Sequence, residues 1–193
     1  MSNVSQPHAA VSQHDNTKLA VWVFLGGEVV FFATLILTFS MYRLQHASSY
    51  ADFTSHLSIP LIAINTFVLI ASSYMVVRSL EAIREGNRTG LRNNMIAVMV
   101  LGAIFLGGQA FEWITLFGDG VNLASTFGTP FFTVTGIHGT HVFVGLIWAA
   151  IVLVNNGRGA FSEHEHRGME LFGLYWHFVD IVWIVLFTVI YLI

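Results

Sequence analysis

Long apolar runs, separated by short polar segments, dominate the pattern of this chain of 193 residues. An α-helix needs about 20 residues to cross a hydrocarbon core that is about 30 Å thick. Five runs are long enough and contain few charged residues. We therefore predict five transmembrane helices over residues 19–42, 60–77, 95–117, 133–154 and 171–193.

The predicted fold class is an all-α integral membrane bundle, with the transmembrane domain at 19–193 and a polar N-terminal tail at 1–18. The tail contains one basic residue, Lys18. The apolar run after it is too long for the core of a signal peptide, and no small-residue cleavage site follows. We expect no cleaved signal.

Composition narrows the possible classes of protein. The chain is 55% hydrophobic and 10% charged, whereas an ordinary soluble domain is roughly 25% charged. So low a charged fraction excludes the water-exposed surface of a typical soluble domain. The absence of cysteine excludes disulfides and thiolate metal sites, and a formal net charge of −3 gives no indication of a nucleic-acid partner.

The basic residues predict the orientation in the membrane, because short loops rich in Lys and Arg remain in the cytoplasm. Only Arg43 lies on the side opposite the N-terminus. The other basic residues share the side of the N-terminus: Lys18, Arg78, Arg84, Arg88, Arg92, Arg158 and Arg167. We predict a cytoplasmic N-terminus and, with five spans, an external C-terminus.

Six ionisable residues lie inside the predicted spans. They are Glu28, Glu112, Asp180, His138, His141 and His177. Such groups are costly in lipid, so they usually face the bundle interior and mark a functional site. They also stabilise membrane bundles simply by hydrogen bonding between helices. The sequence leaves both interpretations open.

Helix rise predicts which of these groups meet. Glu28 and Asp180 each lie nine residues into their spans, about 14 Å deep, and His141 is also near mid-bilayer. We therefore predict that His141 and Asp180 hydrogen-bond directly or through one bridging group. Glu28 would face the same interior or a lipid-filled cleft. Glu112 lies deeper and would form a separate outer site with Gln109.

The histidines do not form a complete metal-binding pattern. His138 and His141 are three residues apart, but a catalytic metal needs about three protein ligands. His177 lies near the opposite end of the bundle, which is a poor pattern for two hemes. His164 and His166 lie in a charged loop, and such loops are more often simply solvated than metal-binding. We therefore predict no metal in this chain.

Small and aromatic residues indicate how the helices pack. Gly136, Gly139 and Gly145 share one predicted helix, where the absence of a side chain lets another helix approach closely. Several aromatic residues lie close to the ends of the predicted spans, as in an interfacial aromatic belt. They are Trp22, Trp113, Trp148, Tyr175 and Tyr191.

Five segments resemble motifs of subunit III of the heme-copper terminal oxidases, in the order of that family. The most specific are TGIHGTHVFVG at 135–145 and GLYWHFVDIVW at 173–183. GEVVFF at 27–32, GQAFEW at 108–113 and DGV at 119–121 resemble three further motifs. The five segments extend over nearly the whole chain.

The resemblance implies a non-catalytic subunit of a proton-pumping complex that reduces dioxygen to water. Heme and copper would lie in the partner subunit I, and copper in subunit II is a further option. This chain would hold no cofactor of its own except bound phospholipid. Its implied roles are to stabilise subunit I, to protect the complex during turnover and to support proton uptake. Its other implied partners are subunit II and small subunits.

The resemblance also implies roles for individual residues. Glu28 matches the family glutamate that reacts with carbodiimides, and with Asp180 and His141 it forms the expected proton-related set. Gln109, Glu112, His138 and His177 are expected to bind lipid or to serve as structural polar groups. The implied location is the bacterial plasma membrane.

Two features depart from the family pattern. Many members have seven helices, whereas this chain starts at the equivalent of the third, like shorter bacterial forms. Trp113 and Ile114 replace the paired tyrosines that are common in the family. Two alternative functions remain: a proton channel or transporter that uses Glu28, and a subunit of a related nitric oxide reductase.

Overall fold

The computed structural model describes residues 8–158 and 167–193, with side chains from Asn16 onward. His164 and His166 therefore lie outside the described residues. The described residues form six α-helices, and the last continues into one turn of π-helix. The helices are α1 (His8–Gln45), α2 (Ala47–Ser55), α3 (Ile59–Arg84), α4 (Arg88–Gly118), α5 (Gly128–Gly157) and α6 (Arg167–Phe187), followed by the π-helix Thr188–Leu192.

Five helices are long and apolar enough to cross a membrane, which confirms the predicted all-α class and number of spans. The helices extend beyond the predicted apolar runs. α1 begins inside the predicted tail, and α4 begins seven residues before the run at 95–117. Polar residues continue a helix into the headgroup region without loss of backbone hydrogen bonds, so hydropathy alone underestimates helix length.

The short helix α2 lies between the first two spans, where the sequence predicted only a connecting segment. A search for long apolar runs does not detect it, because nine mostly polar residues cannot cross a bilayer. Phe53 is its one buried residue, and it packs against Phe127 with ring centroids 5.7 Å apart.

Helices α3, α4, α5 and α6 form the compact part of the bundle, and among the spans α1 packs mainly against α5 and α6. The core contains large aromatic side chains. Trp176 and Trp183 of α6 are almost fully buried, and the Trp183 ring lies against Phe105 of α4 with centroids 4.8 Å apart. Helix α6 is therefore central.

Glycine allows a close approach at Trp176, as predicted for Gly145. A Cβ atom at Gly145 would lie 2.7 Å from the Trp176 ring, and one at Gly102 would lie 3.0 Å from it. A Cβ at Gly136 would lie 3.0 Å from Trp113. A Cβ at Gly139 would lie 3.8 Å from Leu106 of α4, an ordinary van der Waals contact.

The C-terminal π-helix is held by the C-terminal end of α1 and by α2. Arg43 donates to the backbone oxygen of Val189 at 2.9 Å, and the Tyr50 hydroxyl donates to that of Ile190 at 2.7 Å. The Arg43 guanidinium lies 5.2 Å from the Tyr50 ring centroid. These bonds satisfy carbonyl groups that have no partner at the end of a helix, and they fix the direction of Tyr191.

Candidate functional site

Glu28 of α1 and His141 of α5 form a pair inside the bundle. The Glu28 Oε2 and His141 Nε2 atoms are 3.2 Å apart, and their side chains are 21% and 19% exposed. His141 Nδ1 lies 2.8 Å from the backbone oxygen of Ile137. A carbonyl oxygen only accepts, so Nδ1 donates this hydrogen bond and Nε2 faces the Glu28 carboxyl group. The arrangement lets one proton lie between Nε2 and Oε2.

The surroundings of this pair are aromatic. The Phe32 ring lies 5.0 Å from the His141 ring, edge to face. The Tyr175 hydroxyl donates to the backbone oxygen of His141 at 2.9 Å. Tyr175 is only 4% exposed, so its assignment to the interfacial belt was wrong. Its hydroxyl is satisfied inside the protein instead of in the headgroup region.

The predicted direct hydrogen bond between His141 and Asp180 is wrong. Both ring nitrogens of His141 have other partners. Asp180 is buried, and its Oδ1 atom has no hydrogen-bond partner among the described residues. Ser73 of α3 bonds to Nδ1 of His177 at 2.7 Å. Depth along a helix axis suggested this pair, but it does not give the direction of a side chain around that axis.

His138 is isolated from both pairs. It is 1% exposed and stacks on Trp183 with ring centroids 4.9 Å apart. Within the described structure, neither of its ring nitrogens has a hydrogen-bond partner. Its surroundings are those of a packed aromatic residue, with Phe32 and Phe105 also in edge-to-face contact.

Gln109 and Glu112 form the separate outer pair that their spacing predicts. Gln109 Nε2 donates to Glu112 Oε2 at 2.9 Å. The Tyr191 hydroxyl donates to the same oxygen at 2.7 Å, a contact that the sequence did not predict. Tyr191 is 6% exposed and so is not an interfacial residue. No local pattern marks this contact, because it depends on where the C-terminal turn ends.

A polar face on α3 was also missed. Its members are Asn65, Thr66, Ser72, Ser73 and Ser79, all of which are buried. They recur at intervals of seven residues, as 65, 72 and 79 and as 66 and 73, which is the spacing of one helix face. That periodicity was available in the sequence.

Two apolar grooves lie beside the pair of Glu28 and His141. The larger has a volume of about 740 Å³ and lies between α1 and α6. Its lining includes Trp22, Phe32, His177 and Phe178. A second groove of about 370 Å³ includes His141, Trp148 and Tyr175. Helix α1 is thus covered on only part of its circumference.

Metal binding finds no support in the side-chain geometry. Over the ranges 16–158 and 167–193, no three His, Cys, Asp or Glu residues are grouped closely enough to hold a metal ion. His138 and His141 make separate contacts. The candidate site is therefore a carboxyl and imidazole pair beside apolar grooves.

A helical bundle with five potential spans and buried polar pairs is a multi-pass membrane protein. The family model described as cytochrome c oxidase subunit III matches residues 2–193. The chain belongs to this family, and its partners are the other subunits of an oxidase complex.

Curated relatives agree with the family match. The chain is 33% identical over 179 residues to the probable quinol oxidase subunit 3 of Staphylococcus aureus (strain USA300), covering 91% of this chain and 88% of the relative. It is 35% identical over 176 residues to the cytochrome c oxidase subunit 3 of Thermostichus vulcanus, covering 90% and 86%. The relatives thus include subunits of both cytochrome c and quinol oxidases.

Proposed function

We propose that this chain is the non-catalytic subunit III of a proton-pumping heme-copper oxidase that reduces dioxygen to water. It binds subunit I, which holds heme and copper, and it stabilises that subunit during turnover. The observation that carries this proposal is the pair of Glu28 and His141, 3.2 Å apart on a helix with few intrachain contacts. Such a pair can hold a proton, but it lacks the ligands of a redox centre.

The proposed proton-related role rests on the pair of Glu28 and His141. One proton held between the two side chains would leave them without net charge, which limits the cost of keeping a carboxyl group in lipid. Asp180, with Ser73 and His177, forms a second polar group on the opposite side of α6. We expect these groups to support proton uptake by subunit I by holding exchangeable protons.

Phospholipid is the ligand that best fits the groove between α1 and α6. Its lining is almost entirely apolar, as expected for acyl chains, and includes His177 and Trp22. Longer members of the family have two additional helices before the equivalent of α1. Here lipid or another subunit would cover this side of the helix.

The orientation follows from the seven basic residues on the side of the N-terminus and the single Arg43 on the other. We infer a bacterial plasma membrane with a cytoplasmic N-terminus, in keeping with the bacterial sources of both relatives. A phosphatase fused after Ile193 should be active only outside the cell. Activity of a cytoplasmic reporter at that position would contradict this orientation.

Purified oxidase with and without this chain tests the main proposal. We expect heme and copper to remain with the depleted complex and its initial rate of oxygen reduction to be largely kept. Its activity should then decline faster during continuous turnover. A heme spectrum in the isolated chain, or loss of heme upon its removal, would contradict a non-catalytic role.

A variant pair tests the contribution of Glu28. Glu28→Gln keeps a hydrogen-bonding group near His141 but cannot exchange a proton, so we expect faster inactivation during turnover with unchanged assembly. Glu81→Gln is the matched control, because Glu81 is exposed and pairs with Arg78 at the end of α3. Equal inactivation rates in both variants would exclude the proposed proton-related role of Glu28.

The alternative of a proton channel has less support. Among the described side chains, no hydrogen bond joins the pair at Glu28 to the groups at Ser73 or Glu112. A channel needs a continuous polar path, whereas these groups are separated by apolar side chains such as Phe32 and Trp183. No feature of the structure favours a nitric oxide reductase over an oxidase.

A further inference from the structure

Helix α1 is held differently in its two halves. In the C-terminal half, Phe32 and Phe39 are almost fully buried. In the N-terminal half, Leu25 is buried, but four large apolar side chains are at least half exposed. These are Leu19, Trp22, Val23 and Phe24. We call residues 16–27 the N-terminal arm of α1.

The N-terminal arm separates the two apolar grooves that lie beside the pair of Glu28 and His141. Trp22, Leu25 and Gly26 line the larger groove, on the side of α6. Phe24 lines the smaller groove together with His141. Open space therefore lies on both flanks of the arm, and a sideways movement of the arm meets little packed protein.

An ion pair docks the start of the arm on the bundle. Lys18 Nζ lies 3.1 Å from the carboxyl group of Glu170, which is in the first turn of α6. Glu170 also pairs with Arg84 of α3 at 3.5 Å, so α3 helps to hold it in place. The Lys18 side chain is half exposed, and such a pair contributes at most about fivefold to an equilibrium. The arm is thus docked by a contact that is easily released.

Gly26 and Gly27 supply a point of bending at the end of the arm. Gly145 of α5 lies against the Trp176 ring, whereas no other part of the described chain comes within 4 Å of a Cβ atom built at Gly26 or Gly27. Close packing within the chain therefore does not require these two glycines. Glycine weakens a helix because it adds backbone freedom, and glycine pairs are a common site of helix kinks.

We propose that the N-terminal arm is a hinged strap that controls access to Glu28. The ion pair of Lys18 and Glu170 closes it, and it bends at Gly26 and Gly27 when that pair separates. Because the arm is the wall between the two grooves, its movement joins them and opens Glu28, the next residue after the hinge, towards the N-terminal side. This regulation rests on the proton-related role proposed above, since it would govern proton exchange between the pair and water.

Two measurements on the intact oxidase complex in mild detergent test the strap, and neither depends on oxidase activity. Hydrogen exchange measured by mass spectrometry reports the opening of residues 16–27. The rate at which a water-soluble carbodiimide and an amine convert Glu28 to an amide reports access to its carboxyl group. Lys18→Gln removes the docking pair, so we expect both rates to rise about two- to fivefold. Exchange in residues 29–43 should remain unchanged.

Arg84→Gln is the matched control, because it removes the other cation that pairs with Glu170 but leaves the arm docked. We expect it to leave both rates unchanged. The double variant G26A/G27A should have the opposite effect to Lys18→Gln, slowing both rates about four- to fivefold per substitution, because alanine stiffens a helix. Its added Cβ atoms enter open space, so we expect the variant to fold.

Several results would overturn the proposal. Equal acceleration in Lys18→Gln and Arg84→Gln would show a general charge effect, and unchanged rates in Lys18→Gln would mean that a partner subunit or lipid holds the arm. Faster exchange along all of α1 would exclude a hinge at the glycines. Faster exchange in the arm without faster labelling of Glu28 would show that the arm does not control access.

Loss of a partner subunit in G26A/G27A would also contradict the hinge, because it would show that the glycines accommodate a close helix contact. The depletion experiment under continuous turnover tests the non-catalytic role separately. A failure of the strap therefore differs from a failure of the proposed function.

Discussion

Helices α1 and α6 are both apolar enough to cross a membrane, yet they occupy very different positions in the bundle. Over an 18-residue apolar stretch, 50% of α6 is buried in the protein, against 11% of α1. Val23, Val30 and Leu37 of α1 are each more than 60% exposed. Lipid tails are as apolar as a protein core, so hydropathy does not distinguish a central helix from a peripheral one.

The difference between the two helices lies in their polar contacts. α6 is joined to α3 by two buried indole hydrogen bonds, from Trp176 to Ser72 at 3.0 Å and from Trp183 to Thr66 at 2.9 Å. Both indole groups are shielded from lipid and water. In a membrane, where apolar burial does not drive helix association, such bonds and close packing hold helices together.

Helix α1 is attached instead at separate points along its length. Lys18 pairs with Glu170 at 3.1 Å near one end, the pair of Glu28 and His141 lies further along, and Arg43 reaches Val189 at the other end. Buried Phe32 and Phe39 contribute packing between these points. A helix held in this way can shift locally without disturbing the rest of the bundle.

The largest loss of stability is expected from a substitution that disturbs the packing around α6. Gly145→Ala would place a Cβ atom 2.7 Å from the rigid, buried Trp176 ring, and overpacking of this kind costs about 1–3 kcal/mol. We expect a clearly lower melting temperature of the purified complex or a lower yield of assembled subunit.

Gly107→Ala is the matched control for this substitution. Gly107 lies in α4 with no atom within 4 Å of the added Cβ. We expect its stability to be close to that of the unmodified chain. If both variants were equally stable, the close packing of α5 against Trp176 would not be a main source of stability.

The next largest loss of stability is expected when an interhelical hydrogen bond of α6 is removed. Thr66→Val preserves shape but leaves the Trp183 N–H group without an acceptor, and interhelical hydrogen bonds in membranes are worth about 0.6 to 1.7 kcal/mol. We expect destabilisation in this range, measured by thermal or denaturant unfolding in detergent. Thr34→Val is the control on α1, because Thr34 is exposed and bonds only to its own helix at Val30.

The sequence predicted the five spans because each contains an apolar run long enough for a bilayer, and it predicted the pair of Gln109 and Glu112 because three residues separate neighbours on one helix face. It could not predict that His141 meets Glu28 instead of Asp180. That choice depends on how α1, α5 and α6 are rotated about their axes. Where lipid and core are equally apolar, only the few polar residues encode this rotation.

The aromatic residues near the span ends show the same limit of prediction from the sequence. Trp22 is 59% exposed and fits the interfacial belt, whereas Tyr175 and Tyr191 are buried at 4% and 6% exposure. All three lie near the ends of predicted spans, so their position in the sequence is equivalent. The buried tyrosines differ in having internal acceptors, His141 O and Glu112 Oε2, which become visible only after the helices are assembled.

A smaller effect is expected on the local stability of α1, without a change in the rest of the bundle. Glu28→Ala removes the central attachment, which should contribute about 0.6 kcal/mol, so hydrogen exchange in α1 should accelerate about threefold. Exchange in α3 and α6 should remain unchanged, as measured by mass spectrometry of the complex. Faster exchange throughout the bundle would mean that α1 is not an independent unit, and Glu81→Ala provides the control for loss of an exposed carboxyl group.

The smallest expected effect, no change at all, concerns the metals of the complex. The three span histidines make contacts that do not converge: His138 stacks on Trp183, His141 bonds to Glu28 and His177 bonds to Ser73. Alanine at any of them should leave the ratio of heme and copper to subunit I unchanged.

His138→Ala should lower the assembly yield most, since it leaves a cavity in the packed core and large-to-small substitutions of this kind are destabilising. Heme spectra and copper analysis, each normalised to the amount of subunit I, separate these two results. A stoichiometric loss of metal in one variant with normal assembly would mean that the histidine contributes to a metal site, and it would place α5 or α6 in the redox machinery.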